Sequence, residues 1–349
     1  MRKVVFISYL DDNYSRSAVL MSALKKDSHC LVEYFRVKSL KLPHLNEFMK
    51  YLRDLEVGKT IVVIMSPAHL LTIFARLSFK GSLILDAGWP LSDSSKVRKG
   101  NLTFAFFKDS VIDRLAMLLA DKVIVESNGQ KANLIQRGFK FKSDPKVIYS
   151  GLLERRFKFA LGKVNELTKK SFSGKNKLKI LFRGKYNSES GLDYIQDIFA
   201  SRSSFCELII CCPNLPNSFP RIPGVKYLTE QFSDTQLTRV FKDADLALGQ
   251  FGEDSRVKFS IAHKIFEYSY FGLPTICIKG TAVEEIFESD EFYFVRREDL
   301  GRFLDKSLKN KKSFAKDIGK RSVRVREKYS KACSEKVIAQ DFIQIAKAI

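Results

Sequence analysis

No run in the chain approaches the roughly 18 apolar residues that a membrane-crossing helix needs, so any membrane contact would be peripheral. The six cysteines, Cys30, Cys206, Cys211, Cys212, Cys277 and Cys333, contain no C-x-x-C pair and no framework of a small secreted fold. They read as reduced intracellular thiols and leave zinc without a ligand set. The apolar part of Met1 to Leu10 is too short for a signal h-region and runs into Asp11 and Asp12, which makes it a first strand. The turn after that strand lacks G-x-G-x-x-G, which removes the dinucleotide fingerprint. Helix-turn-helix and aromatic-interleaved single-strand signatures are missing too, so no specific nucleic-acid partner is expected. Acidic residues are in deficit, 39 Asp and Glu against 60 Lys and Arg, for a net charge of +21. Such a balance draws a chain to polyanions, among them an anionic membrane face or a phosphorylated substrate. The cations are densest between Arg155 and Lys185 and between Lys306 and Lys331, where most side chains of such runs are simply solvated.

What is present is an ordinary globular composition, 45% hydrophobic and 28% charged over 349 residues. That length suits two domains of similar size. Strand-like runs at Val4–Ile7, Leu31–Phe35, Thr60–Met65, Leu83–Leu85, Lys122–Val125 and Lys146–Gly151 alternate with helical segments such as Ser15–Lys26, Asn101–Ala120 and Gln130–Gly138. Alternation of this length implies an α/β fold with a parallel, doubly wound sheet. Open sheets of this kind bind ligands beyond the carboxyl ends of their strands. Asp12, Ser15 and Arg16 follow the first strand, His69 follows the third, and Asp86 stands before the only tryptophan, Trp89. His69 and Asp86 are the catalytic candidates, although a lone histidine is often structural and an aspartate here can cap a loop.

Residues 161–177 lose periodicity and become rich in Lys, Ser and Gly, the composition of a linker between a domain over 1–160 and another over 178–325. A second alternation then runs through Leu178–Phe182, Leu208–Cys212, Val225–Leu228, Leu246–Leu248 and Thr275–Ile278. After its first strand, Arg183-Gly184-Lys185 leads to a helix start near Gly191, an anion cradle with Lys185 as added cation. A helix starting at Thr281 after the Thr275 strand offers a second such N-terminus. Between them His263 and Glu267, four apart, share one face of a short helix closed by Gly272 and Pro274. The same pattern suits a surface helix with a solvated Glu267, so both readings stand on these residues alone. Asp243-Ala244-Asp245 has the D-x-D form of a metal motif, but Asp245 opens an apolar strand and no partner ligand cluster accompanies it. No metal site is therefore expected. Residues 313–349 are mostly helical, basic first and then amphipathic.

The C-terminal half carries a family pattern. Leu248-Gly249-Gln250-Phe251-Gly252, followed by His263-Lys264-Ile265-Phe266-Glu267-Tyr268 and Gly272-Leu273-Pro274, resembles the retaining nucleotide-sugar glycosyltransferases of GT-B fold, family 4-like, group 1. Leu181 to Lys185 looks like their F-x-G-R turn, and Thr281 to Ile286 like their E-I/L helix start. The likeness is clear over about 178–287 and weaker before it. It implies two Rossmann-like doubly wound domains facing a cleft, with a C-terminal helix, 326–349, returning to the first. It also implies an enzyme that moves a sugar from a nucleotide-sugar donor to a lipid-linked or surface-glycan acceptor, and the reduced cysteines and basic surface fit a cytoplasmic one, peripheral on the inner membrane face. By the same resemblance Glu267 accepts both ribose hydroxyls, while Lys185 and Lys264 neutralise the diphosphate without a metal or other cofactor. Gly184, Gly249, Phe251 and His263 complete the donor pocket, and backbone N–H groups near Ala282 and Val283, with Glu285, hold the transferred sugar. Asp12 and Arg16 stand on the acceptor side, with His69 and Asp86. The chain departs from the pattern at Phe259, where many members have a first glutamate, at Ser190 in place of a lysine, and at Lys185 in place of arginine, which loses bidentate geometry. These departures also suit a catalytically degenerate glycan-binding or scaffold subunit.

Overall fold

The structure, a computed structural model, describes residues 2–12, 15–25, 30–99, 103–164 and 176–349. They divide into two compact units, residues 1–151 with 335–349, and residues 152–334. The first unit runs β1 (Arg2–Ser8), α1 (Ser15–Leu24), β2 (Cys30–Arg36), α2 (Leu42–Arg53), β3 (Thr60–Met65) and α3 (His69–Ser78). It continues with β4 (Ser82–Asp86), α4 (Leu91–Lys99), α5 (Phe104–Leu119), β5 (Lys122–Val125), α6 (Asn128–Gln136) and β6 (Lys146–Val147). The second unit opens with α7 (Glu154–Val164), then β7 (Leu178–Arg183), α8 (Leu192–Ala200), β8 (Cys206–Cys211), β9 (Val225–Leu228), α9 (Asp234–Asp243) and β10 (Leu246–Leu248). It ends with α10 (His263–Tyr270), β11 (Thr275–Ile278), β12 (Tyr293–Val295), α11 (Leu300–Lys309) and α12 (Lys311–Ala332), and the last helix, α13 (Glu335–Lys347), belongs to the first unit.

Each unit holds a six-stranded parallel sheet, ordered β2-β1-β3-β4-β5-β6 in the first and β12-β11-β10-β7-β8-β9 in the second. The central strands read as continuous apolar runs because helices cover both faces; all six residues of β3 are buried. In the first unit Val5, Ile7, Val62, Ile64, Leu83 and Leu85 form one core with Phe48 of α2, Leu71 of α3 and Met117 of α5. On α13, Phe342 stacks on Phe6 with centroids 5.8 Å apart, and Ser22 donates to Glu335 at 2.5 Å. In the second unit the order in the sheet reverses between β7 and β10. The connections that leave the carboxyl ends of those two strands therefore run to opposite faces of the sheet, and the crevice between them is where doubly wound sheets take ligands.

Several elements differ from the expectation. Segment 152–160 belongs to the second unit, because Phe157 of α7, fully buried, packs edge-on against Phe271 at 5.3 Å and Phe241 at 6.0 Å. Of the expected linker, 161–164 finish α7, and 165–175 lie outside the described residues. The return to the first unit starts at Glu335, since α12 stays with the second. The single helix expected over 101–120 is preceded by α4, and α5 itself starts after Thr103, whose Oγ1 accepts from Phe106 N at 3.3 Å. Asn13, Tyr14, Lys26 and Asn101 lie outside the described residues. The helix expected from Thr281 is a single 3-10 turn, Ala282–Glu285, with the Gly280 N–H donating to Glu284.

Candidate functional site

Strand β7 ends in Arg183, and its last backbone N–H donates to the Tyr268 hydroxyl at 2.7 Å, which ties the following Gly184-Lys185 turn to α10. Helix α10 stops where Gly272 takes φ 67° and donates to Ser269 O while Leu273 N donates to Tyr268 O. That is a left-handed glycine closure, and it holds the helix to eight residues. Six of those eight, Lys264 to Ser269, are buried, Lys264 and Glu267 among them.

Lys264 is 6% exposed and sits at the reversal point: its Nζ donates to Gly249 O at 2.9 Å and lies 3.7 Å from the Phe182 ring centroid. The same Nζ is 3.8 Å from where a Cβ on Gly184 would stand, so the two turns that bracket the crevice share one buried cation. Burial, with the nearby Arg183 cation acting in the same direction, brings the pKa down from 10.5 to about 7 despite partial compensation from Cys277.

Glu267, 1% exposed, pairs with Arg183 Nη1 at 2.8 Å, and its other oxygen lies 3.6 Å from His263 Nδ1. Burial alone would raise this carboxyl, but the Arg183 charge and then His263 outweigh it and hold the pKa below the ordinary glutamate value. The ion pair lacks the angle of a good hydrogen bond at Oε2, so this ionised carboxylate keeps acceptor capacity.

Arg183 also lines a cavity of about 430 Å³ together with Arg156, Gly184, Lys185, Asn214 and Gln231. Arg156 comes from α7 and is fixed by Asp234 through contacts of 2.6 and 3.2 Å, which hold its charge on more firmly than usual. Asp234 is placed by the start of α9, where Ser233 and Gln236 form a reciprocal cap. Three cations thus converge on one concavity with a fourth buried behind it, and two carboxylates face them. An arrangement of this polarity and size suits a phosphorylated, hydroxyl-bearing ligand.

The donor-side residues expected from sequence fall into two groups. Gly184, Lys185, Gly249, His263, Lys264 and Glu267 come together around the crevice, with Lys185 exposed on the cavity wall. Phe251 is a fully buried wall: its N–H donates to Ser190 O at 3.2 Å and its ring stacks on Tyr194. Ala282 and Val283 are buried in their short turn with Glu285 half-buried, while neighbouring Glu284 lines a different cavity of about 540 Å³. Ser190, at the departure from the family's lysine, is used up locally, its hydroxyl donating to Asn187 O at 2.6 Å. Phe259 is half-buried, and nearby Arg256 contacts Glu189 and Asp254. Asp243 and Asp245 both engage Lys179 near the start of β7, the amino end of the strand.

In the first unit Asp12 is exposed, whereas Arg16 is 4% exposed and forks onto Asp86, itself fully buried, at 2.7 to 2.9 Å. Arg16 also donates to Ile148 O at 3.0 Å, so it pins α1 to the ends of β4 and β6. His69 is fully buried, and neither ring nitrogen makes a hydrogen bond of good geometry among the described residues. Burial pushes its pKa down and that of neighbouring Asp113 up, favouring an uncharged pair, although Asp113 accepts from Leu91 N, Ser92 N and Ser92 Oγ. Arg156, Arg183, Asn214 and Gln231 escaped the sequence assignment. Arg183 stands inside the quoted glycine turn, but nothing in a pattern of residue types shows that its side chain meets Glu267.

No protein-family model matches the chain, and no curated protein matches its sequence. Solved structures do. Sucrose-phosphate synthase from Thermosynechococcus elongatus superposes with a TM-score of 0.72 at 13% identity, over 100% of this chain and 99% of the other. Anabaena HepE in complex with UDP-glucose gives 0.70 at 14%, over 100% of both chains. The UDP-forming α,α-trehalose-phosphate synthase from Burkholderia vietnamiensis gives 0.65 at 9%, again over 100% of both. The fold is GT-B. The two units are its two Rossmann-like halves.

Proposed function

We propose that the protein is a glycosyltransferase that takes a nucleotide-linked sugar, with UDP the first candidate, at the cavity of the second unit. The observation that carries this reading is the buried, ionised Glu267 held by Arg183 beside a cavity that also receives Arg156 and Lys185. A ribose needs a bidentate anionic acceptor for its two hydroxyls, and a diphosphate leaving group needs fixed cations. Glu267 takes the first role. Lys185, Arg183 and Lys264 take the second, and enough positive charge stands there for transfer without a metal. Gln231 and Asn214 line the same cavity and offer amide groups to a base. GT-B neighbours that bind UDP and UDP-glucose support the choice of donor. Retention, a lipid-linked or surface-glycan acceptor and attachment to an anionic membrane complete the reading, the last two motivated by the net charge of +21.

Calorimetry with UDP, GDP and dTDP sugars, followed by a turnover assay, tests it. One nucleotide is expected to bind in clear preference, and Glu267→Ala is expected to abolish turnover with the fold intact by circular dichroism. Unchanged turnover in that variant sinks the assignment, and EDTA sensitivity sinks its metal-free part. The burial of Ser190 in its own turn and the phenylalanine at 259 favour a second reading, a catalytically degenerate glycan-binding subunit. Tight donor binding without turnover in the presence of membrane extracts selects it.

A further inference from the structure

Helix α5 in the first unit turns its apolar side outward. Phe104, Phe107, Val111, Leu115 and Leu118 recur at steps of three and four, so they share one helix face, and they are 41 to 84% exposed. Its carboxylates point the other way: Asp113 is buried against α4, and Asp109 accepts from Ser95 of that helix. The exposed face adds Lys108 and Arg114. Lys108 comes no closer than 3.8 Å to Asp109, and Arg114 donates to two neutral acceptors, Gly138 O and Arg137 O, both at 3.0 Å. Exposed Lys96 stands on α4, which packs along α5. The exposed side of α5 thus carries phenylalanines, aliphatics and cations and no acid, the inverse of a water-facing helix in a globular protein.

We propose that this face of α5 seats in the interfacial region of an anionic phospholipid bilayer, with the phenylalanines at the acyl boundary and Lys96, Lys108 and Arg114 at the headgroups. Apolar area and cations on one helix face are the two terms that drive interfacial binding. Charge decides against a second copy as the occupant, because a twofold pairing of this face would set Lys108 and Arg114 against their own copies with no carboxylate between. The inference rests on the membrane attachment in the proposed function, for which it names the surface, and not on the donor site. UDP titrations of the variants below are expected to match the wild type, so failure of either reading shows independently.

The test is co-sedimentation of the full-length protein with vesicles of phosphatidylcholine and phosphatidylglycerol in equal parts, set beside pure phosphatidylcholine. The wild type is expected to bind the anionic vesicles and to release as salt rises. Phe104→Ser and Phe107→Ser, both at exposed positions, are each expected to weaken partitioning by about tenfold with no change in melting temperature. Lys108→Glu is expected to weaken binding to anionic vesicles alone. Equal partitioning of the wild type and a variant carrying both Phe104→Ser and Phe107→Ser overturns the proposal. Self-association of the wild type in sedimentation velocity, without vesicle binding and abolished by the serines, overturns it in favour of a second copy.

Discussion

Replacing Lys264 by methionine keeps most of the volume of the side chain and removes the cation buried at the reversal point of the second sheet. In the folded chain the lysine pKa is about 7, below the 10.5 of an unperturbed lysine. Between those two values the unfolded chain binds the extra proton, so stability rises with pH from about 7 to about 10.5 and the penalty is whole below that window. The gap corresponds to about 5 kcal/mol as an upper figure. Against it stand the hydrogen bond to Gly249 O at 2.9 Å and the ring of Phe182 at 3.7 Å, worth about 1 kcal/mol each. Lys264→Met is therefore expected to stabilise the second unit by about 2–3 kcal/mol at pH 6 and to flatten its pH dependence up to pH 10. Urea unfolding at a series of pH values reads this directly. If the proposed donor reading holds, the same group makes donor binding proton-linked. At pH 8 a lysine of this pKa is about one-tenth protonated, so a diphosphate that requires the ammonium takes up about 0.9 proton. Calorimetric titration of UDP in phosphate and in Tris at pH 8 measures that uptake. A wild-type stability that is flat between pH 7 and 10, or an uptake that persists in Lys264→Met, refutes the reasoning.

Asp86→Asn removes the carboxylate onto which the Arg16 guanidinium, 4% exposed, forks and is expected to cost the first unit about 3–5 kcal/mol in urea unfolding; unchanged stability would mean that the pair is not a clamp. Gly191 has φ 62°, and a Cβ there would stand 2.3 Å from the Phe251 carbonyl carbon, so Gly191→Ala is expected to lose more than about 3 kcal/mol in the second unit. Gly58, at φ 91° with open space around it, serves as the control and is expected to lose only about 1 kcal/mol on the same change.

The strands and their parallel arrangement were legible because buried parallel strands are apolar throughout and their helices are not. Thr60–Met65 and Leu178–Phe182 announce themselves in that way, and β12, three residues long, does not. The candidate site was legible in part. The glycine turn at 184, the short helix from His263 and its closure at Gly272 are local features, set by spacing and by backbone conformations that side chains disfavour. Helix α7 went unread because its amphipathic pattern is diluted by lysine and arginine, and its placement depends on Phe157 meeting Phe241 and Phe271, far away in sequence.

By itself the sequence determined the alternation of elements, the absence of a membrane-crossing helix among the described residues, the excess of positive charge and the residue types at the strand ends. Only the tertiary structure decided which charges meet. Arg183 meets Glu267, Asp234 anchors Arg156, and Arg16 is spent on Asp86. It also decided that Lys264 is buried while Phe104 and Phe107 are not. The physical reason is the same in each case: side-chain periodicity is a local property of the chain, whereas desolvation and the pairing of charges depend on what the sheet brings alongside from distant segments.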